Sequence, residues 1–475
     1  MLTDLLHRHA DRDLLLCDDG QRLRYAQALD LGAQPALRAL HRRLVICLAA
    51  NLPGSLLGYL GLLSAGAVPL MLNAALAPEQ LAPLVAAYRP AAVLLPAERQ
   101  DALVGGRLLW SGLGQVLLAP AGREGGPLHQ DLALLLTTSG STGSPKMVRL
   151  SQRNLLSNAM AIAEYLGIDG DERPVTALPP SYTYGLSIVH SHLVHGCTLA
   201  LTAQTFFDKG FWQFMKEARV SSLGGVPYQF EMLRKLRLHQ MDLPALRTLT
   251  QAGGRLDPGL AREFAQQCSA RGRRLFLMYG QAEASPRMAY LAPDKVARKP
   301  HSIGAAIPGG RLRLLDEQGA EISAAGVAGE LVYQGDNVCM GYAQGWADLA
   351  AGDEFGGVLH TGDMAERDAE GDFTIVGRLR RFLKLYGHRI NLEDVERALQ
   401  AEGLQAACAG SDDHLAVYLC GADADAARAA KMQLLQRLRL PPAAVRVLGL
   451  AELPRTDAGK VRYAGLPDCR TAVLA

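Results

Sequence analysis

The chain has 475 residues, 49% of them hydrophobic and 20% charged, with a formal net charge of +2. That length exceeds what one hydrophobic core serves, so two or three domains are expected. The near-neutral balance, with no block of like charge, argues against nucleic acid as a partner and describes an ordinary globular protein.

The opening residues MLTDLLHRHADRD lack the shape of a signal peptide. From Leu44 to Pro78 no residue is charged, which is long enough to cross a bilayer. Asn51, Pro53, Gly54, Gly58, Gly61, Gly66 and Pro69 interrupt that run. Strand 44–50, helix 55–65 and strand 68–72, all buried in an α/β core, are the expected reading, with no membrane contact. Further strands are expected at 91–95, 132–136, 199–201, 223–226, 248–251 and 275–278, with helices at 152–165, 211–218 and 259–270 between them. This alternation predicts stacked βαβ units with mostly parallel sheet, which bind ligands at the carboxyl ends of their strands.

One such end stands out. The apolar run 132–136 leads into Thr137, Thr138, Ser139, Gly140, Ser141, Thr142, Gly143, Ser144, Pro145 and Lys146. Glycines let backbone N–H groups turn towards a ligand, hydroxyls add rotatable donors, and Lys146 adds a point charge. That is the chemistry of a polyphosphate clamp, set against the plainer reading of a Ser/Gly linker. It is not the Walker loop, because two residues separate the glycines and Met147 follows the lysine. No GxGxxG follows a strand with a distant acid, so a dinucleotide oxidoreductase is the poorer class.

From about residue 311 to 376 short strands and Gly/Asp turns mark a small β-rich subdomain. A basic connector, Arg378, Arg380, Arg381 and Lys384, precedes a last stretch with helix 392–402, strand 415–419, helix 423–439 and strand 445–448. The expected architecture is α/β throughout: an N-terminal domain 1–380 and a small α+β domain 381–475. The eight cysteines form no CxxC pair. They read as buried thiols of a reducing, cytoplasmic compartment, and His190, His192 and His195 near Cys197 are only a weak zinc signal.

Seven stretches in one order resemble the ANL superfamily of adenylate-forming enzymes, which includes acyl-CoA synthetases, peptide-synthetase adenylation domains and luciferase. They are the loop Thr138 to Lys146, Met278-Tyr-Gly-Gln-Ala-Glu283, Gly329-Glu-Leu, Thr361-Gly-Asp363, Gly377-Arg378, Lys384-Leu-Tyr-Gly-His-Arg-Ile390 and Pro454-Arg-Thr-Asp-Ala-Gly-Lys460. The resemblance implies ATP and Mg²⁺, attack of a carboxylate on the α-phosphorus, and transfer of the acyl group to a second nucleophile. It implies a mobile C-terminal domain that swings about Arg381 and delivers Lys460 between carboxylate and α-phosphate. Glu283, with an oxygen such as that of Thr138, would hold Mg²⁺, while Thr138, Ser139, Gly140, Ser141, Thr142, Gly143 and Lys146 grip the phosphates. Gly253, Gly254, Tyr279, Gly280, Gln281 and Ala282 would line the nucleotide, with Asp363 and Arg378 at its ribose. Ala282 departs from the threonine usual in relatives, which removes one hydroxyl from the phosphates.

Candidate walls of the acid's pocket are Tyr182, Tyr184, Gly185, Val226 and Tyr228, aromatic and apolar with little charge. By the resemblance, peptide-synthetase domains pair the substrate's α-amine with an aspartate in the stretch corresponding to 178–187, which here holds no acid, so a carboxylic acid without an α-amine is expected. The acceptor is read as either a thiol of CoA or a carrier, or an amino acid's amine. Tyr182, where many acyl-CoA synthetases carry histidine, and the stretch 377–396, which resembles coronafacate-ligase-type amide synthetases, lean to the amine. A catalytically idle nucleotide-binding relative is the alternative of another class.

Overall fold

The computed structural model describes residues 2–137, 146–385, 388–411, 414–438, 440–455 and 461–467. Its described residues fall into two compact units: those up to 312 together with 333–359, and 313–332 together with those from 360 onward.

The first unit contains an eight-stranded sheet in the order Gly341–Ala343, Met147–Ser151, Leu132–Thr137, Val68–Asn73, Leu44–Ala49, Ala92–Pro96, Gln115–Ala119, Arg107–Gly112. Its four central strands are parallel, and antiparallel strands close both sides. Every residue of Leu44–Ala49 is buried, as the unbroken apolar run requires of a parallel central strand. Helix Pro53–Ser64 follows, started by Pro53 at a position where a missing N–H costs nothing. The uncharged run is therefore strand, helix and strand of one core. No helix of the described residues is long and apolar enough to cross a membrane.

A second sheet runs Ser222–Gly225, Thr248–Gln251, Arg274–Gly280, Arg287–Leu291, Ala305–Ala306, the first three strands parallel and in register. Alternation across its pleat separates two environments. Leu223, Leu249, Leu275 and Leu277 join Phe211, Phe230 and Phe264 in one core. On the opposite face Phe276 and Met278 pack with Ile162 and Leu166 of helix Gln152–Leu166 and with Tyr184 of helix Thr183–Leu193.

The second unit carries most of a four-stranded sheet ordered Arg311–Leu315, Gly329–Gln334, Val358–Arg367, Phe373–Arg378. The hairpin Phe382–Leu385 and His388–Asn391 follows, then helix Leu392–Ala401. The last sheet pairs His414–Cys420 antiparallel with Ala406–Ser411 and parallel with Val445–Leu450, and helix Ala424–Leu438 makes the parallel crossover. Leu383, Val395, Leu399, Val417, Leu434 and Val447 share one core there.

Two histidines near Cys197 turn out to be core residues. His190 Nε2 lies 2.8 Å from the Tyr59 hydroxyl, and His192 Nδ1 donates to the carbonyl of Ile188 at 2.7 Å. Cys197 Sγ donates to the carbonyl of Asp169 at 3.0 Å. Burial pushes the pKa of His190 down to about 3 and that of His192 to about 4. Both are neutral when folded, whereas the unfolded chain takes up protons below about pH 6.5. Stability is thus fully present above that pH and falls as pH drops, by about 1.4 kcal/mol per unit for each histidine. Denaturant midpoints at pH 7.5 and 5.5 should differ accordingly, and His190→Asn should flatten the dependence; equal slopes for both proteins would contradict this.

Candidate active site

Strands Leu132–Thr137 and Met147–Ser151 flank the hydroxyl-rich loop and pair antiparallel. Thr138, Ser139, Gly140, Ser141, Thr142 and Gly143 lie outside the described residues, as does Lys460. Lys146 enters the second of these strands, and its Nζ sits 3.4 Å from the centre of the Tyr342 ring. An ammonium at that distance is attracted by the negative face of the ring. Tyr342 belongs to strand Gly341–Ala343, which pairs with Met147–Ser151 so that Tyr342 faces Val148. Its hydroxyl donates to Glu283 Oε1 at 2.9 Å. Lys146 and Glu283, far apart in sequence, thus meet around one tyrosine that the sequence reading passed over.

Arg149 fixes that tyrosine. Its side chain has 0% exposure, donating Nε to the Tyr342 carbonyl at 2.9 Å and Nη2 to the Met340 carbonyl at 3.1 Å. Glu354 lies 3.2 Å from the same Nη2. An alternating strand would put an arginine outside, so its burial is understandable only once these carbonyls need donors.

Gly280 closes the strand that carries Tyr279 to the site. A Cβ there would lie 1.8 Å from the carbonyl oxygen of Pro286, so only glycine fits. Gln281 Nε2 donates to the Tyr279 hydroxyl at 3.4 Å, and Ala282 packs against the large core. Ala282 therefore has a packing role where relatives place a hydroxyl. Gly253 has φ +82°, and a Cβ on it would come 2.5 Å from the Tyr182 hydroxyl. Gly254 stands next to Pro227, which its Cβ would meet at 3.1 Å.

Three of the expected pocket residues gather at the start of helix Thr183–Leu193, with Tyr182 just before its first turn. Tyr184 is buried and donates its hydroxyl to the Thr250 carbonyl at 2.9 Å; burial pushes its pKa up to about 12, so it stays a donor. Gly185 lies where a Cβ would strike the Pro179 carbonyl at 2.3 Å. Val226 is buried ahead of helix Pro227–Lys235, and Tyr228 in that helix is 53% exposed. A narrow cavity of about 20 Å³ is lined by Tyr184, Ile188, Gly224, Thr250, Met278 and Arg287, among others. Of the five expected pocket residues Tyr184 lines it, and a buried charge stands in the same wall: Arg287, with Cζ 4.0 Å from the centre of the Tyr184 ring.

In the second unit Asp363 and Arg378 face each other in the antiparallel register, with Arg378 Nε 3.2 Å from Asp363 Oδ1. Asp363 is buried, and its backbone N–H donates to Thr361 Oγ1 at 3.1 Å. Arg381, expected at a hinge, is anchored. Its Nη2 donates to Glu396 Oε1 at 2.7 Å and to the Cys408 carbonyl at 3.0 Å, and its Cζ lies 3.8 Å from the centre of the Tyr463 ring. Glu396 also accepts from the Cys408 N–H at 2.6 Å and from the Tyr463 hydroxyl at 3.1 Å.

A profile of AMP-binding enzymes matches residues 5–343. The chain belongs to that family. With it comes the ANL superfamily of adenylate-forming ligases. The chain is 32% identical over 347 residues to indoleacetate–CoA ligase of Aromatoleum aromaticum, covering 69% of this chain and 65% of that protein. It is 32% identical over 319 residues to feruloyl-CoA synthase of an Amycolatopsis species, covering 66% and 63%. Its matched part thus spans just under two thirds of the length of these relatives. Among solved structures, O-succinylbenzoate CoA synthetase of Bacillus subtilis with AMP covers 98% of both chains at a TM-score of 0.78 and 20% identity. ATP-bound MatB of Rhodopseudomonas palustris covers 97% of both at 0.76 and 22%. These likenesses establish the fold: a mixed α/β architecture with a large N-terminal sheet region and a smaller C-terminal one.

A magnesium nucleotide fits what is present. Among the described residues no three His, Cys, Asp or Glu side chains cluster as a metal cage. A single carboxylate plus phosphate oxygens is how Mg²⁺ is commonly held. Glu283, oriented by Tyr342, offers such a carboxylate, and a bound Mg²⁺ would offset phosphate charge. Tyr342→Phe keeps the ring under Lys146 and removes only the hydroxyl. A hydrogen bond to a charged group is worth about 1.5–3 kcal/mol, so MgATP affinity measured by calorimetry should fall about tenfold to a hundredfold. Unchanged affinity would remove Tyr342 from the site. Arg381→Met should leave Glu396 with the Cys408 N–H and the Tyr463 hydroxyl but no cation, at a cost of about 1.5–3 kcal/mol. A drop in the denaturant midpoint confined to the C-terminal unit checks this, and an unchanged midpoint contradicts it.

Proposed function

We propose that the chain is an AMP-forming acid–thiol ligase. It joins a carboxylic acid without an α-amine to the α-phosphorus of ATP, releases pyrophosphate, and passes the acyl group to the thiol of CoA or a carrier. The observation that carries this reading is the meeting of Lys146, at the start of a strand flanking the hydroxyl-rich loop, with Tyr342 of the neighbouring strand and Glu283, in a chain of the AMP-binding family.

Carboxylate and triphosphate repel each other, and fixed charges that are already in place offset that repulsion without reorganising in the transition state. Lys146 supplies one such charge beside the phosphates. Glu283 holds the magnesium nucleotide in register, and Tyr342 keeps its carboxylate aimed. Asp363 accepts from the ribose hydroxyls, with Arg378 beside it to orient it. Lys460 bridges the acid and the α-phosphate, and the C-terminal region turns between the two half-reactions.

The leaning to an amine acceptor is not carried forward. Indoleacetate–CoA ligase, feruloyl-CoA synthase and medium-chain fatty-acid–CoA ligase are all named for CoA, and they support the thiol that stood as the alternative. Their acids are aromatic or aliphatic, as a pocket without an α-amine partner requires.

Acid-dependent ATP–pyrophosphate exchange tests the first half. Lys460→Ala should lower it about 10²- to 10³-fold with the fold intact; near-normal exchange would remove Lys460 from this role. For the second half, enzyme loaded with acyl-adenylate should release AMP quickly on adding CoA and remain loaded with free amino acids. Discharge by an amino acid alone would restore the amide reading.

A further inference from the structure

The cavity beside the second sheet has an unusual wall for a pocket expected to be apolar. Alternate residues of three neighbouring strands face it, Ser222 and Gly224, Thr248 and Thr250, then Met278. From helix Thr183–Leu193 come Tyr184, Ser187, Ile188, Ser191 and His192, spaced three and four apart along one face. Most of these polar groups have partners inside the protein: Tyr184 with Thr250, Ser187 with the Tyr184 carbonyl, Ser191 and His192 with the Ile188 carbonyl. His192 is neutral. Glu172 accepts from Ser221 and lies 3.1 Å from Arg247 Nη2, so its charge is already answered.

Arg287 is different. Only 3% exposed, it carries a full charge that no carboxylate among the described residues pairs. Its Nε reaches the weak acceptor Sδ of Met278 at 3.4 Å, and its guanidinium rests on the face of Tyr184. Its backbone is held on both sides. The carbonyl accepts from Asn158 Nδ2 at 2.9 Å and from Asn337 Nδ2 at 2.8 Å, and the N–H donates to Asn158 Oδ1 at 3.3 Å. A guanidinium buried without an anion is costly, and a sulfur with a ring face does not replace one. Yet the backbone bonds keep it there, and its side chain lines the cavity. Ser222 Oγ, in the same wall, is buried without a hydrogen-bond partner.

We propose that Arg287 is the counter-ion for a second anionic group on the acid, so that the substrate is a dicarboxylate or another compact acid with a second negative charge. This rests on the adenylation reading above and adds the substrate class. The fork geometry suits a planar carboxylate bidentately, and the narrow cavity favours a compact group over a long chain. An uncharged tail would leave Arg287 as unpaired as it is now, so discrimination comes from the site's own unsatisfied charge.

Pyrophosphate exchange with matched acids tests it: a straight-chain monoacid against the same chain ending in a second carboxylate, and an aryl acid with and without a ring carboxylate. The wild-type kcat/KM for the best diacid should exceed that of its monoacid by about 100-fold or more. Arg287→Met should erase that ratio, and Arg287→Lys should keep part of it. Should the methionine variant fail to fold, the wild-type ratio alone decides. Exchange driven by monoacids at least as well as by diacids overturns this proposal and leaves adenylation standing. Exchange with no acid at all overturns both.

Discussion

A guanidinium without exposed surface holds the site of the first unit together. Arg149 spends its N–H groups on the carbonyls of Met340 and Tyr342, and so ties a three-residue strand to the one that leaves the hydroxyl-rich loop. Tyr342 then presents a ring to Lys146 and a hydroxyl to Glu283. Lose the arginine, and the Tyr342 carbonyl loses this donor, the Met340 carbonyl keeps the Glu354 N–H alone, and the tyrosine loses an anchor. The spacing of a lysine and a glutamate from opposite parts of the chain depends on this one buried charge.

That arrangement explains how the molecule can manage charge. A loop lysine with a long flexible stem loses rotamer freedom when it acts, and a ring at 3.4 Å restrains it beforehand. A glutamate meant to face phosphates through a cation is best aimed by a neutral donor, because a cationic partner would compete with the metal. Tyr342 does both without adding charge. In the second unit charged partners do the positioning instead: Arg378 sits against Asp363, and Arg381 against Glu396 and Tyr463. Arg378 points at a candidate ribose group, whereas Arg381 holds helix Leu392–Ala401 to the last sheet.

Much of this was legible beforehand because the period of the apolar residues carried it. Buried parallel strands such as Leu44–Ala49 and Thr248–Gln251 read as apolar or β-branched runs, and helix Gln152–Leu166 starts at a serine that caps it. Motif residues with fixed chemistry, Glu283, Asp363 and Arg378, could be named for the same reason: their neighbours in sequence mark them. Residues that work through distant partners could not. Strand Gly341–Ala343 is too short to show a period, and nothing near Tyr342 marks it. Arg287 could not be singled out either, because nothing beside it in sequence marks a charge whose backbone Asn158 and Asn337 hold inside. The lean to an amine acceptor rested partly on a single position, Tyr182, which here lies against Gly253.

The central claim is that the acid's own oxygen attacks the α-phosphorus. It is tested most directly by following that oxygen. With an acid labelled in its carboxylate with ¹⁸O, ATP and CoA, mass spectrometry of the released nucleotide should find one heavy oxygen in AMP for each turnover. Unlabelled AMP, or ADP together with labelled inorganic phosphate, would contradict it.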